Sequence, residues 1–290
     1  MVVRRLAILA ALGGLVLSGC SSSSKSSTSG VTTTTAAAKA RPQVTIDASE
    51  YKFVLPQSIP SGWVDITLHN TGGVEHQIAF IKLGSLSFAA FKSAAATINI
   101  KALGDLSGFA GGPNSVDPGH SVTATVHLDP GKYGVACFIP TADGKPHAAQ
   151  GMVGEVTVAA TADSTETAPV ADAGTITTKE FTFKVPANFT GQGTVAFTNA
   201  GKQVHEAILL KEKPGKTLSE AKQFLLATNP SGPPPFDDVG GITGLGPHNT
   251  IYEQLDLTPG KYALLCFYPD TSKGGLPHVL EGMIKEFTIS

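Results

Sequence analysis

Two short stretches of the chain repeat the same pair of side chains that can bind a metal ion. Residues 144–152 read GKPHAAQGM and residues 275–283 read GLPHVLEGM, so that in each stretch a methionine follows a histidine by five positions. One cysteine lies shortly before each stretch, and a further histidine lies 61 positions before each cysteine. The two sets are His76, Cys137, His147 and Met152, and His205, Cys266, His278 and Met283.

These residue types point to one kind of metal site. A thiolate, two imidazoles and a thioether are the soft and borderline donors of a trigonal copper site with a weak axial sulfur. Zinc makes little use of a thioether, and hard ions such as Ca²⁺ prefer carboxylate oxygens. The donors therefore predict copper, with one ion for each set and up to two ions per chain.

The two sets belong to a tandem repeat. EYKFVLP at residues 50–56 corresponds to EFTFKVP at residues 180–186, and DPGKYGVACFIP at residues 129–140 corresponds to TPGKYALLCFYP at residues 258–269. Equal spacing between the first histidine and the cysteine in both copies is not expected by chance. We therefore interpret the chain as two copies of one structural unit.

Composition predicts where the two copies begin and end. Residues 21–42 have almost no large apolar side chain, which is typical of a flexible tether, and residues 159–174 form a second low-complexity segment that is interpreted as a linker. The folded units are then residues 43–158 and residues 175–290.

Within each copy, short β-rich runs alternate with Gly, Pro and Asn turns, which favours a β-sandwich or barrel. Each copy also has one predicted helix between its first histidine and its cysteine, expected to cover the sandwich. In the second copy, Thr217 and Glu220 form a capping-box pattern before an apolar run. In the first copy, four apolar residues recur at helical spacing: Phe88, Phe91, Ala95 and Ile98.

The repeated motifs resemble those of a known family. GKYGVACFIP, followed by KPHAAQGMVGEVTV, resembles the signature around the cysteine, second histidine and methionine of blue copper proteins, or cupredoxins, and plastocyanin-like members most of all. NTGGVEH at residues 70–76 resembles the turn that leads to the first histidine in that family. The resemblance covers both copies. It implies an all-β chain of two tandem cupredoxin-like Greek-key β-sandwich domains, each with one inserted helix, copper bound by the eight residues named above, and one-electron transfer.

The sequence departs from the family pattern between the cysteine and the second histidine. Only a few residues usually separate them, whereas nine separate them in the first copy and eleven in the second. Asp143-Gly144 and Lys273-Gly274-Gly275 are turn-forming sequences. They predict a small hairpin in each copy that closes the additional length and returns Pro-His to the metal.

The beginning of the chain predicts export. A basic start precedes an apolar run that is too short to span a bilayer comfortably, as in a secretory signal. LSGC at residues 17–20 resembles the lipid-modification site of bacterial lipoproteins. Residues 1–20 are therefore predicted to be a lipoprotein signal peptide ending at lipidated Cys20, with an ordinary signal peptide and a chance cysteine as the alternative. The mature protein is expected outside the cytoplasmic membrane and anchored to it by lipid.

Charge and cysteine content narrow the classes of function. The formal net charge is −2, and Arg41, in the tether, is the only arginine beyond the signal, so nucleic acid is not an expected partner. With Cys20 assigned to lipid, one cysteine remains in each copy, which does not suit disulfides within a copy. A disulfide between Cys137 and Cys266 is one alternative to copper. A metal-free fold in which cysteine and methionine pack as apolar residues is another.

Several other polar residues receive no metal-binding role. His69, His120, His127 and His248 are predicted to be surface residues. Glu75 and Glu206 flank the first histidine on opposite sides in the two copies and are assigned no role.

The sequence also predicts that the chain is not an enzyme. It contains no His-x-His pair of the kind that two-domain copper oxidases and nitrite reductases use for a further copper centre, and no Gly-x-Ser-x-Gly elbow. The expected function is one-electron transfer to a redox partner protein through two type 1-like copper sites. Copper capture or delivery, with a copper donor or acceptor as partner, and a metal-free interaction module are the alternatives.

Overall fold

The strands alternate between buried and more exposed side chains. The structure, a computed structural model, describes residues 40–227 and 231–290. In the strand Gly62–Asn70, every second residue is buried and the residues between are partly exposed. This is the pattern of a strand that packs one face against a core. Burial of such faces stabilises the fold by about 25 cal/mol for each Å² of apolar surface removed from water.

The described elements follow the same order in both copies, except that the first copy has one additional short strand, β3. The first copy contains β1 (Gln43–Ser49), β2 (Lys52–Val54), β3 (Ser58–Pro60), β4 (Gly62–Asn70), β5 (Ala79–Lys82), α1 (Phe88–Ala95), β6 (Phe109–Gly111), β7 (Ser121–Leu128), β8 (Gly131–Ala136) and β9 (Val153–Ala159). The second copy contains β10 (Gly174–Lys179), β11 (Thr182–Lys184), β12 (Gln192–Asn199), β13 (His205–Glu212), α2 (Leu218–Leu226), β14 (Phe236–Leu245), β15 (Thr250–Asp256), β16 (Gly260–Leu265) and β17 (Ile284–Ile289).

The strands form two mixed sheets, and both copies contribute to each sheet. One sheet has the order β11-β10-β12-β15-β7-β4-β1-β2, and the other has the order β17-β16-β13-β14-β6-β5-β8-β9-β3. Most neighbours are antiparallel, but three pairs are parallel: β1 with β4 and β10 with β12 in the first sheet, and β3 with β9 in the second. The predicted all-β fold class with one helix inserted in each copy is confirmed.

Both helices begin at a polar cap. Ser87 precedes α1, and its Oγ accepts a hydrogen bond from the N–H of Ala90 at 3.2 Å. Thr217 precedes α2, and its Oγ1 accepts from the N–H of Glu220 at 3.3 Å, as its capping-box pattern predicts. Ile98, which the helical spacing included, lies beyond the end of α1 with a φ of 49°, so the helix is shorter than expected.

Each helix packs on its own sandwich. The buried ring of Phe91 in α1 lies against Gly134 on β8, where an added Cβ would come within 2.5 Å of the ring. Gly134 therefore allows a close approach that another residue would block. In α2, Ala221 is buried and Phe224 meets the Phe236 ring with centroids 5.8 Å apart. The covering role predicted for the helices agrees with these contacts.

The two copies are joined by paired strands, which we call the seam: β6, β7, β14 and β15. β7 pairs with β15, and β6 pairs with β14. Thr243 donates from Oγ1 to the carbonyl of Ile78 at 3.2 Å, and Asn249 donates from Nδ2 to the carbonyls of Ser107 and Phe109 at 2.8 Å each. Because both sheets run through the seam, the two copies form one body.

The segments interpreted as tether and linker contact this body where they meet it. The N–H of Trp63 on β4 donates to the carbonyl of buried Thr165 at 2.7 Å, so residue 165 of the linker packs along the edge of β4. Arg41, assigned to the tether, donates from Nε to Asp65 Oδ1 at 3.0 Å. Specific hydrogen bonds thus fix parts of both segments.

A carboxyl group is buried in the middle of the seam. Glu253 on β15 pairs with Ala124 on β7 and is 4% exposed. Both carboxyl oxygens accept from the N–H of Gly241, at 3.0 and 3.1 Å. Burial raises the pKa of Glu253 to about 8 because it disfavours the charged form, although the Gly241 N–H acts in the opposite direction. At neutral pH this carboxyl group is mainly protonated.

Replacing Glu253 by Gln should change how stability depends on pH. The pKa is about 8 in the folded protein and 4.5 for the free side chain, so in this window the folded state keeps a proton that the unfolded chain has released. The stabilising contribution of Glu253 protonation to the free energy of unfolding is therefore complete below about pH 4.5, and it is lost as the pH rises through about 8. Glu253→Gln should remove a decrease on the order of 3 kcal/mol between pH 5 and pH 9. Urea unfolding of both proteins measures this, and equal pH dependence would contradict it.

Candidate metal centres

An asparagine side chain fixes the turn before the first histidine. Asn70 is fully buried and donates from Nδ2 to the carbonyls of Val74 and Val116 at 2.7 Å each, while its Oδ1 accepts from the N–H of Gly72 at 2.8 Å. His76 follows this turn, and its N–H donates to the carbonyl of Val116 at 3.1 Å. The backbone that carries His76 is therefore held on both sides.

The second copy repeats this turn. Asn199 donates from Nδ2 to the carbonyls of Gln203 and Leu245 at 2.7 and 2.8 Å, and its Oδ1 accepts from the N–H of Gly201 at 2.8 Å. His205 is the first residue of β13. The Asn-to-His turn noted in the sequence thus has the same hydrogen bonds in both copies.

Each cysteine follows directly after a core strand. Cys137 comes after β8 and Cys266 comes after β16, and both are fully buried. Their N–H groups donate to the carbonyls of Met152 and Met283 at 3.2 and 3.3 Å. The backbone of each methionine is therefore next to its cysteine. Both cysteines are free thiols, so the alternative of a disulfide between them is not the state of this structure.

A small hairpin returns the second histidine to the cysteine in the first copy. The N–H of Thr141 donates to the carbonyl of Lys145 at 2.8 Å, and the turn passes through Gly144 with a φ of 78°. After the turn, the N–H of His147 donates to the carbonyl of Ile139 at 2.9 Å. The nine residues between cysteine and histidine therefore form a closed, hydrogen-bonded structure.

The second copy closes its longer loop in the same way. The N–H of Asp270 donates to the carbonyl of Leu276 at 2.8 Å, and Gly274 and Gly275 turn the chain with φ values of 71° and 90°. The N–H of His278 then donates to the carbonyl of Tyr268 at 3.0 Å. Both loops contain the hairpin that their turn sequences predict.

The methionines lie one short turn beyond the second histidines. In each copy a single 3₁₀ turn begins at the histidine and ends at a left-handed glycine, Gly151 or Gly282, with φ values of 106° and 98°. The next residue is Met152 or Met283, whose N–H donates to the carbonyl of the second histidine at 3.0 Å. Both methionine side chains are fully buried.

The imidazoles and the thiol converge in each copy. Cys137 Sγ lies 3.4 Å from His147 Nδ1, and the two imidazole rings of the first copy have centroids 5.2 Å apart. In the second copy, His278 Nδ1 lies 3.3 Å from Cys266 Sγ and 3.2 Å from His205 Nδ1. In both copies the three potential ligand atoms lie within 4.8 Å of one another, and all six side chains are buried.

Burial controls the protonation of these groups. Desolvation lowers the pKa of His147, His205 and His278 to about 4, so these imidazoles are neutral at physiological pH. Desolvation also raises the pKa of the Cys137 thiol to about 12 and that of Cys266 well above its ordinary value. Neutral imidazoles present free lone pairs, whereas each thiol has to release a proton when it binds a metal ion.

One unpaired nitrogen of the first copy fits a metal ion. Among the described residues, Nδ1 of His76 is buried without a hydrogen-bond partner. Buried polar atoms without partners are uncommon and call for an explanation. Two imidazoles and one thiol around a common point, beside a buried thioether, match the donor set of a type 1 copper site. The cofactor that these clusters support is copper, one ion in each copy.

Four residues next to the clusters were not identified from the sequence: Glu50, Tyr51, Glu180 and Phe181. The Tyr51 ring lies 4.8 Å from the His147 ring, and the Phe181 ring lies 4.9 Å from the His278 ring, between centroids. Glu50 Oε1 is 3.9 Å from Nε2 of the first histidine in its copy, and Glu180 Oε1 is 3.6 Å from the corresponding atom. Their duplication in EYKFVLP and EFTFKVP is the signal that could have found them.

Glu206, which received no role, lies beside the second cluster. Its side chain is 4% exposed, and its Oε1 accepts from the N–H of Phe267 at 2.7 Å. Its own N–H donates to Cys266 Sγ at 3.4 Å. Burial raises the pKa of Glu206 to about 7, opposed by the Phe267 N–H. The corresponding residue in the first copy is the neutral Gln77.

The other four histidines lie outside the two clusters: His69, His120, His127 and His248. His69 and His127 are partly exposed and contact acidic side chains, with 2.9 Å between His69 Nδ1 and Asp47 Oδ1 and between His127 Nε2 and Glu166 Oε2. They form surface ion pairs when protonated.

The predicted signal peptide, the lipidation site Cys20 and most of the tether lie outside the described residues. Within the described part of the chain, no helix has the length and apolar character needed to cross a membrane.

Comparison with known proteins finds similar solved structures. No family model matches the chain, and no curated protein matches it. Auracyanin from Roseiflexus castenholzii is 26% identical, with a TM-score of 0.31, and the match covers 41% of this chain and 98% of that one. Auracyanin A from Chloroflexus aurantiacus, described as a "blue" copper protein, is 20% identical, with a TM-score of 0.29, over 40% of this chain and 99% of that one. These scores are low, so the donor clusters carry the argument for copper.

A third match corrects one prediction. Cu-containing nitrite reductase from Thermus scotoductus is 14% identical with a TM-score of 0.26, and the match covers 78% of this chain and 58% of that one. A copper enzyme is therefore among the structures that this chain matches, and the prediction that the chain is not an enzyme was wrong. The lack of a His-x-His pair shows only that one way of encoding a further copper centre is missing, and it does not exclude catalysis.

The sequence resemblance to blue copper proteins is otherwise confirmed. The described fold consists of two β-sheets with one helix inserted in each copy, and each copy brings one cysteine and two histidines together. In both of its copies, this chain resembles the cupredoxins.

Proposed function

We propose that the chain transfers single electrons through two type 1-like copper sites. The carrying observation is the buried His–Cys–His cluster that occurs once in each copy. Cys137 and Cys266 would supply thiolates, Met152 and Met283 would be weak thioether ligands, and four histidines would complete the sites: His76, His147, His205 and His278. A bound copper ion would supply one-electron chemistry between its cuprous and cupric states.

The way in which the ligands are held favours electron transfer. Each site draws its ligands from a strand end, a hairpin and a distant asparagine turn, and backbone hydrogen bonds link the cysteine to the methionine and the methionine to the second histidine. Donors fixed in this way move little when the charge of the metal changes. Burial also keeps water away from the cluster, which limits solvent rearrangement.

Glu50 and Glu180 would orient the first histidine of each site. Glu50 Oε1 accepts from the N–H groups of Gly73 and Val74 in the asparagine turn, and Glu180 Oε1 does the same in the second copy. These N–H bonds help to lower the pKa of both glutamates, in Glu180 against the opposing effect of burial. Each carboxylate faces Nε2 of the histidine, so it would accept the Nε2 proton and leave Nδ1 free for the metal.

The protein would act outside the cytoplasmic membrane, anchored through lipid on Cys20, and would exchange electrons with a redox partner protein. LSGC at residues 17–20 and the signal-like segment before it support this location. Copper capture or delivery would use the same donors and is distinguished by the first experiment below.

Copper loading tests the proposed function directly. The full chain should bind two copper ions and, with cupric ion, show an intense visible thiolate-to-copper band. Cys137→Ser and Cys266→Ser should each remove one ion and the corresponding part of the band, because serine cannot provide the thiolate. Absorption spectra combined with metal analysis measure both effects.

The outcomes separate the alternatives. Tight cuprous binding without the visible band would indicate copper handling and would contradict electron transfer. No binding of copper and no change in thermal stability would contradict both. The two cysteine variants are matched controls for each other, because each should leave the other copy unchanged.

Replacing the carboxylates should affect one site at a time. Glu50→Gln should weaken copper binding in the first copy, and Glu180→Gln in the second, by about 10- to 100-fold, as expected for groups that orient a ligand. Loss of the negative charge should also raise the reduction potential of that site. Competition with a chelator and redox titration measure these effects in each variant. Unchanged affinity and potential at both sites would contradict the orienting role.

A further inference from the structure

Three buried aromatic rings meet between the two candidate copper centres. The Tyr268 ring of the second copy contacts the rings of Phe138 and Phe109 of the first copy, with centroids 6.3 Å apart in both cases. The interplanar angles of 82° and 81° correspond to edge-to-face contacts, which are favourable for aromatic rings. Tyr268 is 4% exposed, Phe138 is 7% exposed and Phe109 is fully buried. The contact crosses directly from one copy to the other.

Two of these rings belong to residues that lie within two positions of a proposed ligand in the chain. Phe138 directly follows Cys137 in the chain, and Tyr268 lies two residues after Cys266. The carbonyl of Tyr268 also accepts the N–H of His278 at 3.0 Å. A short covalent path therefore leads from each cluster to one of the two touching rings. Phe109 touches Tyr268 as well but is far from any ligand in the chain, so it continues no such path.

The second copy differs from the first at this ring. In the aligned motifs CFIP and CFYP, Tyr268 takes the place of Ile139, so only the second copy has an aromatic residue there. The Tyr268 hydroxyl is buried without a hydrogen-bond partner among the described residues. A buried hydroxyl without a partner destabilises a fold. An added Cβ at Gly244 on β14 would lie 2.0 Å from this oxygen, so the glycine makes room for the ring.

We propose that the Phe138–Tyr268 ring contact is the route by which one electron passes between the two copper sites. This inference rests on the proposed function. With copper bound in both copies, one electron would leave a cuprous ion and reach a cupric ion in the other copy, so that one ion is oxidised and the other is reduced. No atom is transferred, and no further oxidant or reductant is required. The route runs from the Cys137 thiolate through the backbone to the Phe138 ring, across to the Tyr268 ring, and on to Cys266 or His278.

The route has a physical reason. Electron tunnelling through protein weakens steeply with distance, and it weakens more across gaps than along bonds and packed atoms. Here the only step through space is the contact between two rings that are fixed in a dry core. The hydroxyl takes no part, because it has no hydrogen-bond partner among the described residues that could accept its proton. The ring itself is the required part.

Flash reduction of the copper-loaded chain tests the route. With a reductant supplying less than one electron per chain, the visible bands should relax with a phase whose rate does not depend on protein concentration, because the electron moves within the molecule. Cys137→Ser and Cys266→Ser provide the single-site reference spectra and should lack this phase. Tyr268→Leu and Phe138→Leu should lose it while both copper bands remain. Tyr268→Phe should retain it.

Phe109→Leu is the matched control, because it removes the other ring contact of Tyr268 without interrupting the path. It should keep the concentration-independent phase. If Phe109→Leu loses the phase as Phe138→Leu does, or if Tyr268→Leu keeps it, the route is wrong. If the copper-loaded wild-type chain shows both bands but no such phase, the inference fails while the proposed function stands. If the chain binds no copper, the proposed function itself fails.

The ring contact can also be measured without copper. In the metal-free chain, Phe138→Leu and Tyr268→Leu should each lower the urea midpoint, and the double variant should lower it by less than the sum of the two, because each single change already removes the shared contact. Phe109→Leu combined with Phe138→Leu should be closer to additive. Strict additivity of Phe138→Leu and Tyr268→Leu would show that the rings do not interact and would overturn the route.

Discussion

Removing thiols and imidazoles from water is the constraint on which the rest of this structure depends. Desolvation moves the pKa of every cluster imidazole down and of every cluster thiol up, so the clusters carry no charge before a metal binds. Among the residues that the structure describes, several buried ring nitrogens have no hydrogen-bond partner. Such groups destabilise a fold unless something binds them. The buried asparagines, the closed hairpins and the capped helices stabilise the backbone around these donors. They hold the donors together although the burial of unpaired polar groups is unfavourable.

The duplication shows which features belong to the site and which belong to one copy. The asparagine turn, the backbone bonds from cysteine to methionine and from methionine to histidine, and the glutamate beside the first histidine occur in both copies. The copies differ at Gln77 and Glu206, next to the first histidine, and at Ile139 and Tyr268, after the cysteine. A buried carboxyl group follows the first histidine in the second copy and an amide follows it in the first, so the two clusters lie in different electrostatic surroundings.

Much of the site could be predicted from sequence because its signals are local or repeated. Pro-His and Gly-Met lie in one short motif that contains the second histidine and the methionine. The first histidine could be identified because it lies 61 positions before the cysteine in both copies. The contacts that were missed come from tertiary pairing. Tyr51 and Phe181 reach the second histidine because β1 and β10 pair in parallel with β4 and β12, and no local pattern encodes that pairing. Ile98 fits a helical period, but α1 ends before it. The exclusion of an enzyme failed because it relied on the absence of particular sequence motifs, and such an absence does not exclude catalysis.

The seam decides how the two sites relate to each other. A linker alone would let two sandwiches move independently, and the distance between their clusters would then vary. Here strands from both copies pair in both sheets, and side chains such as Thr243 and Asn249 donate across the boundary. Moving one copy relative to the other would break these hydrogen bonds and open the apolar core between them. The separation of the two clusters is therefore fixed by the fold, as the ring contact between Phe138 and Tyr268 requires. Duplication combined with a shared core turns two separate sites into one pair with a constant geometry.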